Sequence, residues 1–262
     1  MALVRTETVG QVAILRLSDP ATLNAMSVAM VEALQAALDE SMQTARALVI
    51  TGEGRAFCSG ASLTGGGLGS APAEFDAGAA LESHYNPLML KLRNLPMPFV
   101  TAVHGAAAGI GCSIALMGDL IVADQTAYFL QAFRNVGLVP DGGSPYLLAA
   151  SAGRARAMEA MLLGERISAE SARDWGLINR VVAEGKDVEA ALELAQKLAD
   201  GPRATLALIR NLAWGALERP FEEQLGHERA TQRAAGLTAE FREGVVAFLQ
   251  KRKADFAKIP KE

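Results

Sequence analysis

One acid stands out by its setting. Asp141 occupies the run Gly137-Leu-Val-Pro-Asp-Gly-Gly-Ser144, downstream of a small-residue run, His104-Gly-Ala-Ala-Ala-Gly-Ile-Gly-Cys112. Small residues let main-chain N–H groups come close to a ligand at the start of a helix. The later loop offers one carboxylate and no neighbouring acid. An oxyanion-binding backbone plus a single carboxylate is the least equipment that moves a proton beside a carbonyl. Both pieces also have plainer uses. Small residues pack a helix tightly on a strand. Asp in a Pro-Asp-Gly-Gly turn is a favoured turn residue, and it can N-cap the helix that follows.

A third run, Gly54-Arg-Ala-Phe-Cys-Ser-Gly-Ala-Ser-Leu63, leads from a strand ending at Thr51 into a glycine-rich loop. It suits close approach of backbone to ligand, and equally a surface loop. Other chemistries are poorly supported. Gly109-Ile-Gly111 lacks the third glycine and the downstream acid of a dinucleotide site. Ser59 has no evident base. His84 and His104 read as packed histidines, and Met158, Met161 and Leu162 as core. Cys58 and Cys112 form no Cys-x-x-Cys, so neither a zinc site nor a disulfide framework is expected, and no metal.

The elements around these runs follow from periodicity. Leu3–Thr8 and Val9–Leu17 read as paired strands, and Ser27 as the N-cap of an amphipathic helix through about Ser41. Ala47–Thr51 and Phe99–Val103 are short buried strands, with a helix over Glu74–Leu95 between them. Helices are expected at Gly109–Met117, Ser144–Ala150, Arg154–Leu163 and Ser168–Trp175, and strands at Leu120–Ala123 and Leu177–Val182. Strands alternating with helices imply an α/β core with parallel pairing over residues 1–187. Residues 188–262 read as an all-helical extension whose apolar face needs a partner.

The 262 residues are 50% hydrophobic and 21% charged, with a net charge of −4. That balance is ordinary for a globular protein and gives no basic field for nucleic acid and no reason to expect a membrane surface. No apolar run reaches the ~18 residues of a membrane span. The first residues lack the apolar core of a signal peptide, so a reduced, cytoplasmic protein is expected.

Taken together and in order, these pieces resemble the enoyl-CoA hydratase/isomerase family, the crotonases. The resemblance runs through Asp19–Ser27, Gly54–Ser62, Pro98–Asp119, Phe129–Ser144, Gly153–Met158, Ser168–Ala172, Gly176–Val182 and Phe241–Lys253. It implies an α/β spiral of ββα units with a helical C-terminal trimerisation region, assembled as a homotrimer or hexamer. The substrate it implies is an acyl-CoA thioester, with no cofactor beyond the coenzyme A that the substrate carries. The thioester oxygen would lie between the N–H groups of Ala61 and Ile110. Asn24, Ala25, Ser59, Gly60, Ser62, Leu63, Gly109 and Phe133 would line the acyl-CoA site. The Gly65–Ala73 loop and the helix with His84, Tyr85 and Met89 would shape the acyl pocket. Phe248 and Lys251 would reach the adenine and phosphate end.

The departures matter most. Family hydratases carry two glutamates at the positions of Ser113 and Phe133. Addition of water needs one group to activate it and another to place the proton. With neither glutamate present, the resemblance points to the isomerase branch, whose acid falls at Asp141. The surrounding run looks most like the ring-epoxide isomerases of phenylacetate breakdown, with 3,2-enoyl-CoA isomerases also carrying an acid there. Hydration through Asp141 alone and a non-catalytic acyl-CoA-binding protein are the alternatives.

Overall fold

The computed structural model describes residues 2–62 and 76–259. Nine strands and nine α-helices are defined among them. The first two strands, β1 (Val4–Val9) and β2 (Val12–Leu17), pair antiparallel around a left-handed Gly10. Next come β3 (Ala47–Gly52), β4 (Phe99–Val103), β6 (Leu120–Asp124) and β9 (Arg180–Val182), each parallel to its neighbour in the order β1-β2-β3-β4-β6-β9. Every residue of β3 and β4 is buried. Their runs Ala-Leu-Val-Ile-Thr-Gly and Phe-Val-Thr-Ala-Val are the sequence form of strands covered on both faces.

One cover is α6 (Asp187–Ala199), whose Ala191, Leu194, Ala195 and Ala199 pack on Ile14, Val49, Val100 and Val122. On the other side, α1 (Val28–Thr44), α2 (Asn86–Arg93) and α3 (Ile110–Leu116) close a larger core containing Leu15, Leu34, Phe57, Leu88, Phe99 and Ile114. The expected Ser27 cap is present: its Oγ accepts the Met30 N–H at 3.2 Å.

A second, three-stranded sheet is built from β5 (Ala106–Ala108), β7 (Tyr128–Leu130) and β8 (Arg166–Ser168). The repeat is then visible. A strand of the large sheet leads into a short strand of the small one and then a helix: β4, β5 and α3, then β6, β7 and α4 (Ser144–Leu163). Between β3 and α2, Cys58 takes the short-strand place, bridging Ala107 with bonds of 2.9 and 3.0 Å to Ala106 and Ala108.

The two helices expected on either side of Gly153 are present as the two halves of α4, broken where Gly153 takes φ 79° and ψ 162°. Two expectations change. Residues 106–108, read only as part of a small-residue run, form a strand. Helix α6 belongs to the core and not to the extension. Its apolar stripe covers the sheet, so the helices that leave the core begin after Ala199. These are α7 (Arg203–Ala216), α8 (Phe221–Gly236) and α9 (Ala239–Leu249). No helix among the described residues is long and apolar enough to cross a membrane.

Candidate active site

The site forms where β5, α3 and the loop before α4 meet the segment after β3. Gly60 and Gly109 make this meeting possible. A methyl carbon added to Gly60 would stand 3.1 Å from the Ala108 carbonyl oxygen, and one on Gly109 3.7 Å from the Gly60 Cα. Both glycines have positive φ, 107° and 53°, which L side chains rarely adopt. The main chains at 60–61 and 109–110 therefore run side by side.

Two donors are left over at that junction. The Met26 N–H donates to the Gly60 carbonyl at 2.8 Å, and the Ser62 N–H to the Met26 carbonyl at 3.3 Å. In a parallel bridge of this pattern the N–H of the middle residue, Ala61, points away from Met26. The Ile110 N–H opens α3, so it has no partner within the helix. Among the described residues, neither of these two N–H groups meets an acceptor.

Asp141 is fixed by its main chain. Its carbonyl accepts the Ser144 N–H at 3.0 Å, the Ser144 hydroxyl at 2.5 Å and the Ser113 hydroxyl at 3.2 Å. The next residue, Gly142, is pressed onto α3: an added methyl would fall 2.1 Å from Ile110 Cδ1 and 3.0 Å from Ser113 Oγ. The carboxylate, by contrast, is free. Its Oδ1 is buried with no hydrogen-bond partner among the described residues. It does not cap α4, so that plainer role is excluded. Burial pushes its pKa from 3.8 up to about 6.

The two positions that depart from the hydratase pattern have other work. Ser113 is fully buried and holds the Asp141 carbonyl. Phe133 sits in the 3-10 turn Ala132–Val136 with its ring tip 3.7 Å from where a Gly109 side chain would begin. Tyr85 ends a π turn at Leu81–Tyr85, within the helix expected over Glu74–Leu95. Its hydroxyl donates to the Met26 carbonyl at 2.6 Å. Sequence reading placed Tyr85 by the pocket but missed this anchor, which has no local signal.

Other expected site residues are distributed as follows. Asn24 is wholly buried, and its amide ties down the loop after β3 through the carbonyls of Glu53 and Ala56 at 2.9 and 2.8 Å. It shapes the wall from behind and offers no free side chain. Ala25 and Ser59 follow the same framework, with Ser59 Oγ donating to the Thr22 carbonyl at 2.9 Å. Leu63 and the Gly65–Ala73 loop lie outside the described residues. Phe248 and Lys251 stand exposed at the end of α9, Phe248 to 81%. Cys58 and Cys112 are free and buried, with thiols pushed up to about 12 by burial, so neither is a nucleophile. Among the described residues no group of His, Cys, Asp or Glu could hold a metal ion.

Known proteins resemble the chain over almost its whole length. The sequence profile of the family described as Enoyl-CoA hydratase/isomerase matches residues 7–259. The 1,2-epoxyphenylacetyl-CoA isomerase of Escherichia coli is 42% identical, over 92% of this chain and 93% of that one. A Rhodobacter capsulatus protein described as "Probable enoyl-CoA hydratase" is 40% identical over 97% of each. Among solved structures, an enoyl-CoA hydratase from Polaromonas superposes with a TM-score of 0.88 at 36% identity, covering 96% of this chain and 98% of the other.

Proposed function

The chain belongs to the enoyl-CoA hydratase/isomerase family, and from that premise we propose that it isomerises an acyl-CoA thioester, with Asp141 as the one acid–base group. The observation that carries this reading is the half-buried Asp141 carboxylate, its Oδ1 buried without a partner among the described residues and its neighbour Gly142 packed on Ile110, with no second acid at Ser113 or Phe133.

The thioester oxygen accepts the N–H groups of Ala61 and Ile110. Those donors hold the negative charge that forms when a proton leaves the α-carbon. For a 3-enoyl-CoA, Asp141 takes the C2 proton, the electron pair spreads through the thioester as a dienolate, and Asp141 returns the proton to C4. The double bond then lies between C2 and C3, and nothing is added or lost. One carboxylate suffices because the same group is base first and acid second. A pKa near 6 suits both roles near neutral pH. Neither Phe133 nor Ile110 carries a polar side chain that could hold a water.

A second reading has one observation in its favour: the 42% identical Escherichia coli relative is an isomerase of a ring epoxide. The same donors and carboxylate serve a rearrangement that begins at a thioester enolate. We also assign coenzyme A contacts to Phe248 and Lys251, reached by a neighbouring copy of the chain. The exposed faces of α8 and α9 support an assembly of this kind.

The deciding experiment is incubation with a 3-enoyl-CoA and, separately, a 2-enoyl-CoA, with products identified by mass. A 2-enoyl product of unchanged mass is expected. Rapid addition of one water to the 2-enoyl-CoA would overturn the isomerase assignment, and binding without turnover of either would leave a binding protein.

A further inference from the structure

The π turn at Leu81–Tyr85 has no part in the reaction as derived so far. Single π turns in helices are rare and frequent at functional sites. In this one Glu82 and Ser83 are exposed and Tyr85 is buried. The Tyr85 hydroxyl reaches the Met26 carbonyl at 2.6 Å. That same carbonyl receives the Ser62 N–H at 3.3 Å, while the Met26 N–H holds the Gly60 carbonyl at 2.8 Å. Met26 therefore grips the main chain on both sides of Ala61. The grip is uneven, since a 3.3 Å bond is at the weak end of the range. The short phenolic bond is the strong tie on the Met26 carbonyl.

The geometry points to Tyr85 as a positioning residue that fixes the Ala61 N–H at the thioester oxygen through the Met26 carbonyl. This rests on the oxyanion reading above and adds to it a residue that touches neither the thioester nor the transferred proton. Two further observations agree. The hydroxyl keeps its proton, because burial, and then the charges of Asp141 and Cys58, raise its pKa. It thus remains a donor to Met26 while Asp141 is ionised. Met89, one turn further along and also buried, faces the same core. An acyl group lying against Tyr85 and Met89 would press on the residue that sets the donor. Small displacements of such a donor cost rate far more than binding.

The test uses Tyr85→Phe, which removes one oxygen and keeps the ring. An aryl-conjugated 2-enoyl-CoA serves as the probe, because its absorbance shifts to the red when donors polarise the thioester carbonyl. The variant is expected to lose about 10-fold in kcat with KM within about two-fold, on the scale of one perturbed oxyanion donor. Its red shift should be clearly smaller than wild type, and its acid limb in the pH profile unmoved. A variant with wild-type kcat and wild-type red shift overturns the proposal, whatever its melting temperature. Loss of an alkaline limb with the red shift intact also overturns it, since Tyr85 would then be a proton donor. Asp141→Asn should cost 10²–10⁴ in turnover and keep the red shift. Failure of that variant alone counts against the base, whereas no red shift in the wild type removes the oxyanion reading and this one with it.

Discussion

Under the proposed reaction, Asp141 shows how burial makes a weak base useful. An ordinary aspartate is a poor base at neutral pH, and desolvation brings this one to about 6. It must be ionised to take a proton, so kcat/KM should rise with pH along an acid limb near 6 and level off above it. A limb below pH 4.5 would contradict the burial argument. Asp141→Asn is expected to cost 10²–10⁴ in turnover, the usual worth of a general base, and to leave the Kd for acyl-CoA within a few-fold. The same residue has a cost in stability. An acid whose folded pKa lies above its unfolded value binds protons more tightly when folded. Stability therefore falls as pH rises from about 4 to 6 and stays lowered above that. Asp141→Asn lacks this penalty and should be more stable at pH 7 by about 1–2 kcal/mol in urea unfolding. Equal or lower stability would show that the carboxylate has a partner when folded.

At the scale of elements, α6 shows how a helix is held to the sheet by both packing and charge. Its first residue, Asp187, is buried, and its carboxylate takes the His104 Nδ1 at 2.8 Å at the end of β4. Burial lowers the His104 pKa, but the hydrogen bond and charge of Asp187, with the charge of Asp124, outweigh it and leave the pKa raised. A histidine with a raised folded pKa adds stability in full below the unfolded value of about 6.5, and loses it as pH climbs through the folded value. The melting temperature should therefore fall as pH rises above about 6.5. In His104→Gln that step should vanish. Asp187→Ala should cost about 3 kcal/mol at pH 6, the price of breaking a buried pair. A pH-independent difference between wild type and His104→Gln would mean that the pair is neutral throughout.

For the whole molecule, α7 is tied to the core by polar groups while α8 and α9 leave apolar surface open. Arg210 of α7 meets Asp119 at 2.6 Å and the Leu95 carbonyl at 2.5 Å. Glu240 of α9 caps α7, accepting the N–H groups of Ala204 and Thr205 at 3.0 Å. Beyond these ties, Phe221, Leu237, Phe241, Phe248 and Leu249 are 72%, 66%, 52%, 81% and 73% exposed. So much large apolar surface on one region needs a cover. Sedimentation should give a mass of several chains. Phe248→Asp with Leu249→Asp should shift it toward the single chain and raise KM for acyl-CoA several-fold. A wild-type monomer with full activity would remove the assembly from the mechanism.

Much of this was legible in residues alone. The Val/Ile/Leu runs of β3 and β4, the Ser27 cap and the alternation of strand and helix report local chemistry that a chain carries wherever it folds. Asp141 and the glycine runs were legible as candidates, because clustered small residues and an acid with no neighbouring acid can be read from residue types alone. What sequence could not decide was which of two uses each had. Asp141 as helix cap or as free carboxylate depends on whether its side chain finds a donor, and only Gly142 packed on Ile110 settles that. The strand at Ala106–Ala108 carries no strand signal, because alanine pairs there only when Cys58 and Phe129 flank it. Tyr85 and Met26 lie 59 residues apart in sequence, and only the tertiary fold brings them together. Local propensity wrote the elements. Contacts between distant segments, which no periodicity encodes, decided which groups were left free to do chemistry.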